Sequence, residues 1–174
     1  MIDRRNLFAK FRQREPAFIT PPYFSGEFDC IDCHAPCVQS CHRELLEIDS
    51  DRVKFNPNKL GCNFCKECAI ACESIGKSVI NLKYPASIDA VVQINTATCL
   101  AWNEVICYNC LDVCKFRAIE YLGMFRPTVN SRCVGCSECV SVCVNNSVII
   151  RPSTTSPTRS VSWLPAIIII LLRS

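Results

Sequence analysis

Sixteen of the 174 residues are cysteines, and thiolate is the side chain that holds soft metal ions and iron–sulphur clusters. They fall into four groups of four: Cys30, Cys33, Cys37 and Cys41; Cys62, Cys65, Cys68 and Cys72; Cys99, Cys107, Cys110 and Cys114; Cys133, Cys136, Cys139 and Cys143. The second and fourth groups read C-x2-C-x2-C-x3-C without deviation. In that run three cysteines bind one [4Fe-4S] cluster and the fourth reaches a second cluster. Gaps of two residues let a tight loop carry three thiolates around one corner of a cubane while its amides point at the sulphides. Zinc does not need that spacing: structural zinc takes C-x2-C pairs from separate segments, and three thiolates at successive short gaps would crowd one tetrahedral ion.

The other two groups are irregular. Three residues separate Cys33 from Cys37, and seven separate Cys99 from Cys107. Cys99 therefore carries an alternative reading, a buried thiol without a metal. Four groups imply four clusters, or three if the third group is empty. His34 and His42 lie in and just after the first group, and Rieske centres do use histidine. Those are two-iron clusters with two histidines, whereas four cysteines are already present here, so all sixteen cysteines are the expected ligands.

A two-cluster unit needs two groups joined by a short return of the chain. Twenty residues separate Cys41 from Cys62 and 18 separate Cys114 from Cys133, against 26 between Cys72 and Cys99. The break falls in the longer gap, at Tyr84-Pro85-Ala86-Ser87, before the apolar stretch Ala90 to Ile94. Crossed ligation then gives four sets: Cys30, Cys33, Cys37 with Cys72; Cys62, Cys65, Cys68 with Cys41; Cys99, Cys107, Cys110 with Cys143; Cys133, Cys136, Cys139 with Cys114. A nested pairing of the first group with the fourth stays open.

The expected fold class is α+β: small, loop-rich tandem units of bacterial ferredoxin type, organised around [4Fe-4S] clusters. The organisation read from the chain is a basic N-terminal segment over 1–25, a first unit over 26–84, a connection over 85–96, a second unit over 97–150, and a disordered linker with a short apolar tail over 151–174. Short apolar pieces follow each fourth cysteine, at Leu45-Leu46, Val79 to Leu82, Ala118-Ile119 and Val148 to Ile150, and read as short strands or cluster covers. Third and fourth cysteines are four residues apart throughout, one turn of any helix that contains both. So few residues per cluster cannot build a self-sufficient core, and the clusters must be part of it.

Compartment and partners follow less directly. A disulphide-rich secreted chain would need a signal peptide, yet Arg4, Arg5, Lys10, Arg12, Arg14 and Glu15 leave no room for an apolar run of about 7–15 residues. A reducing cytoplasm is expected. Arg4-Arg5 before Leu7-Phe8 has the look of a twin-arginine motif, but the residues after it are too polar for export. The formal charge is +3, and four oxidised clusters of about −2 each would take it to roughly −5, so nothing favours nucleic acid. No paired carboxylates or Gly-rich phosphate loop are present, and there are only five glycines, so no enzyme is expected. The tail offers ten apolar residues from Trp163 to Leu172, short of the roughly 17–25 that span a bilayer, and could touch a membrane or a partner weakly. Leu7, Phe8 and Phe11 within Arg4 to Arg14 could form one helical face for a partner.

The sequence resembles the NapF family, ferredoxin-type accessory proteins of bacterial periplasmic nitrate reductase systems, over about residues 1–150. The most specific part is Cys99-Leu100-Ala101 leading to Cys107-Tyr108-Asn109-Cys110 and Cys114, then Ala118-Ile119 and Phe125-Arg126-Pro127-Thr128. Arg4-Arg5 and Pro21-Pro22 also match, whereas the tail does not, and no proline follows Cys72 or Cys143. The resemblance implies a cytoplasmic iron–sulphur protein that contacts the catalytic subunit of the nitrate reductase, a molybdoenzyme, before its export, aiding its maturation or supplying electrons. A general low-potential electron carrier serving other oxidoreductases is the competing reading.

Overall fold

The computed structural model describes residues 17–57 and 60–153. Each group's third cysteine lies in a short helix: Cys37 in α1 (Pro36–Gln39), Cys68 in α2 (Glu67–Ser74), Cys110 in α3 (Asn109–Asp112) and Cys139 in α4 (Glu138–Ser141). Proline begins α1, where its missing N–H has no helical partner to lose. Only α2 runs on through the fourth cysteine, Cys72; the others end two residues before Cys41, Cys114 and Cys143. The chain leaves those three through a left-handed residue three positions past the cysteine, Glu44 (φ 54°), Arg117 (φ 50°) and Asn146 (φ 50°).

The apolar pieces after the fourth cysteines enter β-pairing. Leu46–Asp49 (β1) pairs antiparallel with Arg52–Phe55 (β2), Leu46 opposite Phe55. Ala90–Ile94 (β3) pairs with Val148–Pro152 (β6), and Ile119–Tyr121 (β4) with Pro127–Val129 (β5), both antiparallel. Ile80 makes an isolated antiparallel bridge with Phe24. Two nested arrangements result. The Phe24–Ile80 bridge encloses the β1–β2 hairpin, and β3–β6 encloses β4–β5. In β2, Val53 and Phe55 are buried while Arg52 and Lys54 are half-buried, the period of two that turns alternate residues inward.

The core is unequal. Among the described residues, 14 buried ones from Ile19 to Ile88 form one cluster, with Leu45, Val53 and Ile80 at its centre; the second comprises only Val92, Cys110, Ile119, Cys139 and Val148. The two regions meet tightly. The Cys62 amide donates to the Cys136 carbonyl at 2.7 Å, and the Ile88 amide to the Val134 carbonyl at 2.8 Å. Arg43 pairs with Glu138 at 2.6 Å and also donates to the Gly61 carbonyl. Phe64 meets Phe116 edge-on, with ring centroids 5.8 Å apart. Glycine is required here by space: a Cβ on Gly61 would lie 2.4 Å from the Glu138 nitrogen, and one on Gly135 would lie 2.6 Å from the Ile88 oxygen.

Candidate metal centres

The loops that carry the first three cysteines of a group have a shared backbone signature. In the second group, left-handed Phe64 (φ 56°) and Lys66 (φ 73°) flank Cys65; in the fourth, Gly135 (φ 71°) and Ser137 (φ 63°) flank Cys136. The first group does the same with Asp32 (φ 56°) before Cys33 and Ala35 (φ 54°) after His34. Such alternation turns successive amides toward one side and makes a concavity suited to an anion. The third group is built differently. A 3₁₀ turn, Ala101–Asn103, fills the long gap, held by Asn103 donating to the Cys99 carbonyl at 2.8 Å and by the Trp102 indole donating to the Pro127 carbonyl at 3.0 Å.

The thiols come together across groups. Cys41 joins Cys62, Cys65 and Cys68 on one cavity of about 110 Å³. Cys143 joins Cys99, Cys107 and Cys110 on a second, and Cys114 joins Cys133, Cys136 and Cys139 on a third. Cys72 is an electrostatic neighbour of Cys30 and Cys37, which also feel Cys33. These are the four crossed sets, and Cys99 lines the same cavity as its three companions. Among the described residues no three Cys, His, Asp or Glu side chains converge on a point that one metal ion would occupy; the thiols ring cavities. His34 and His42 are both exposed, with His42 on the rim of the cavity that holds Cys41.

Backbone amides point at the sulphurs: Ala35 N–H at Cys33 Sγ and Phe64 N–H at Cys62 Sγ, each 3.4 Å. Three fourth cysteines share one device, an amide four residues on that donates to Sγ, from Leu45 to Cys41 at 3.4 Å, Ala118 to Cys114 at 3.2 Å and Ser147 to Cys143 at 3.1 Å. The residue just before each donor is the left-handed Glu44, Arg117 or Asn146, whose turn brings the next amide back toward the sulphur. Two buried hydroxyls, Ser137 Oγ and Ser147 Oγ, have no hydrogen-bond partner among the described residues, and both residues line cysteine cavities. A buried unpaired donor is costly unless an acceptor is present, and cluster sulphur is such an acceptor.

Burial is the main force on seven of the thiols. It pushes Cys37, Cys68 and Cys139 up to about 12, with their neighbouring thiols adding to the shift. Cys62 rises to about 11, mainly by burial, and Cys30, Cys110 and Cys136 are raised by the same cause. Four thiolates in such a place need cationic charge among them, which iron supplies as it displaces the protons. Four thiolates, amides aimed at sulphur and orphaned hydroxyls at the cavity walls fit an iron–sulphur cluster.

Two tyrosines belong to these surroundings without a sequence signal. Tyr23 donates to the Phe64 carbonyl at 3.2 Å beside Cys62, Cys65 and Cys68, and Tyr121 donates to the Cys107 carbonyl beside Cys110. Burial, then the nearby thiols, raises the pKa of both hydroxyls, so they remain proton donors.

No family model matches the chain. It is 31% identical over 152 residues to the ferredoxin-type protein NapF of Escherichia coli strain K12, with 80% of this chain and 88% of that protein covered. The NapF proteins of the O6:H1 and O157:H7 strains match to the same extent. The chain belongs to the NapF family. As a NapF-type chain it is a small α and β protein of ferredoxin type, with its cysteines as the candidate iron–sulphur ligands. Among the described residues no helix is long and apolar enough to cross a membrane. The Arg4 to Arg14 segment and the apolar tail from Trp163, candidate partner contacts, lie outside the described residues.

Proposed function

We propose that each crossed set holds one [4Fe-4S] cluster, four in all, and that residues 26–84 and 97–150 are tandem ferredoxin units of bacterial type. The connection over 85–96 lends β3 to the sheet of the second unit. The observation that carries the reading is that the fourth cysteine of each group lies with the first three of its neighbour. When bound, such a cluster supplies a one-electron couple whose potential depends on hydrogen bonds to sulphur, burial and charge. The chain's part is to hold the thiolates, to aim the Leu45, Phe64, Ala118 and Ser147 amides at them, and to keep water away from buried Cys30, Cys37, Cys68, Cys72, Cys110 and Cys139.

The protein acts in the cytoplasm on the catalytic subunit of the periplasmic nitrate reductase before that molybdoenzyme is exported, in its maturation or by supplying electrons. Support comes from the NapF relationship together with cavities that each bring four thiols together. Anaerobically purified protein should contain about sixteen iron and sixteen labile sulphide per chain. About twelve of each would remove the third set, and zinc without labile sulphide would overturn the whole assignment. Cys72→Ser should disturb the spectrum of the cluster held by Cys30, Cys33 and Cys37; a change confined to the Cys62 set would refute crossed ligation. Capture of the nitrate reductase precursor, with a lower activity per enzyme in a deletion strain, tests the partner. No binding and unchanged specific activity would leave a general electron carrier.

A further inference from the structure

Crossed ligation fixes neighbours within each region. In each region the helices that carry the third cysteines pack together, α1 with Cys37 against α2 with Cys68 and α3 with Cys110 against α4 with Cys139, so the first set adjoins the second and the third adjoins the fourth. How the two pairs relate is a separate matter, decided at the junction. There the Cys62 amide donates to the Cys136 carbonyl at 2.7 Å, joining a thiol residue of the second set to one of the fourth. Cys62 and Cys136 also line one crevice with Phe64, Phe116 and Glu138.

We propose that this contact is the electron bridge of the molecule, so that its four sets act in one linear order, first, second, fourth, third. Electron tunnelling falls off steeply across empty space and favours bonded routes. Here the route runs from Cys62 Sγ through its own Cβ, Cα and amide, across one hydrogen bond, and into the carbonyl, Cα, Cβ and Sγ of Cys136. Transfer is of one electron at a time: the donor side is oxidised by one, the acceptor side is reduced by one, and no bond or proton moves. A low-potential one-electron donor feeds one end and a one-electron acceptor drains the other. The Cys30 set and the Cys99 set are those ends, so the order of the groups in the chain is not the order of transfer.

The junction is built for close approach. Gly61 leaves no room for a Cβ against the Glu138 backbone, Gly135 leaves none against Ile88, and Arg43 ties the Gly61 carbonyl to the Glu138 carboxylate. Gly61→Ala must push the two backbones apart while removing no thiol.

This inference rests on the reading of the sets as cluster sites, and the measurement separates the two. Iron and sulphide are counted first, then the dithionite-reduced holoprotein is examined by paramagnetic resonance at two frequencies. Wild-type protein with full iron should show magnetic splitting that links the two pairs, and Gly61→Ala with full iron should lose that splitting while each pair keeps its internal coupling. A wild-type spectrum equal to the sum of two independent pairs would overturn the bridge and leave the cluster assignment intact, as would full splitting in Gly61→Ala. Missing iron in the wild type would overturn the assignment itself. Should Gly61→Ala fail to retain iron, the wild-type spectrum and that of Arg43→Gln, in which the splitting should weaken, decide in the same way.

Discussion

The two halves of the molecule carry the same number of thiols on very different foundations. In the first, Leu45, Val53, Ile80, Phe55 and Val79 pack around Ile19 and Ile88, and this core includes four cysteines. In the second, three apolar residues and two cysteines make up the buried cluster, and exposed Ile106, Leu122 and Met124 lie outside it. Burying a large aliphatic side chain is worth about 1.5–3 kcal/mol, so the first half has several such contributions where the second has few. The difference teaches that ligand number does not set the dependence of a domain on its cofactor. Apolar burial does.

Removal of the clusters should have the largest effect and a lopsided one. After iron is chelated anaerobically, amides of β3 to β6 should lose their protection from hydrogen exchange while those of β1 and β2 keep a measurable part. Equal loss in both halves would mean that the first core cannot stand alone. Next in size, Leu45→Ala should lower the stability of the first half by about 2–5 kcal/mol in denaturant titration, with the spectrum of the Cys99 and Cys133 sets unchanged.

A pH effect of moderate size belongs to the iron-free chain. Cys37 and Cys68 are pushed from the ordinary 9.0 up to about 12, and Cys62 up to about 11. A raised folded pKa means that the folded chain keeps protons the unfolded chain has released. Its contribution is complete below 9 and is lost as pH rises through about 12. The denaturation midpoint of the iron-free first half should therefore fall from pH 9 upward, whereas loaded protein, whose thiolates are already ionised, should lack this trend. The smallest effect should come from Glu138→Gln. Its pair with Arg43 is partly exposed, so the loss should be about 1 kcal/mol, measured as a small shift of the unfolding midpoint.

The four cysteine groups, the likeness of the second to the fourth, and the strand character of Leu46, Ile119 and Val148 were all legible in the chain, because metal ligation by a loop and β-pairing after a turn are governed by local spacing. The left-handed positions of the loops were not read from the chain: Gly135 takes that conformation freely, whereas Asp32, Ala35, Phe64, Lys66 and Ser137 adopt it at a cost that only the surrounding fold repays.

Helix length escaped for a related reason. Cys68 to Cys72 and Cys139 to Cys143 have identical spacing, yet α2 passes its fourth cysteine and α4 stops short of it, the exit turn falling at Gly76 in one and Asn146 in the other. Spacing along one loop says which thiols can share a corner of a cluster, and it does so without reference to the rest of the molecule. Which sets become neighbours across the junction of Gly61, Cys62, Cys136 and Glu138 depends on two backbones distant in sequence approaching to hydrogen-bond length, and only the packing of the two halves against each other brings them there.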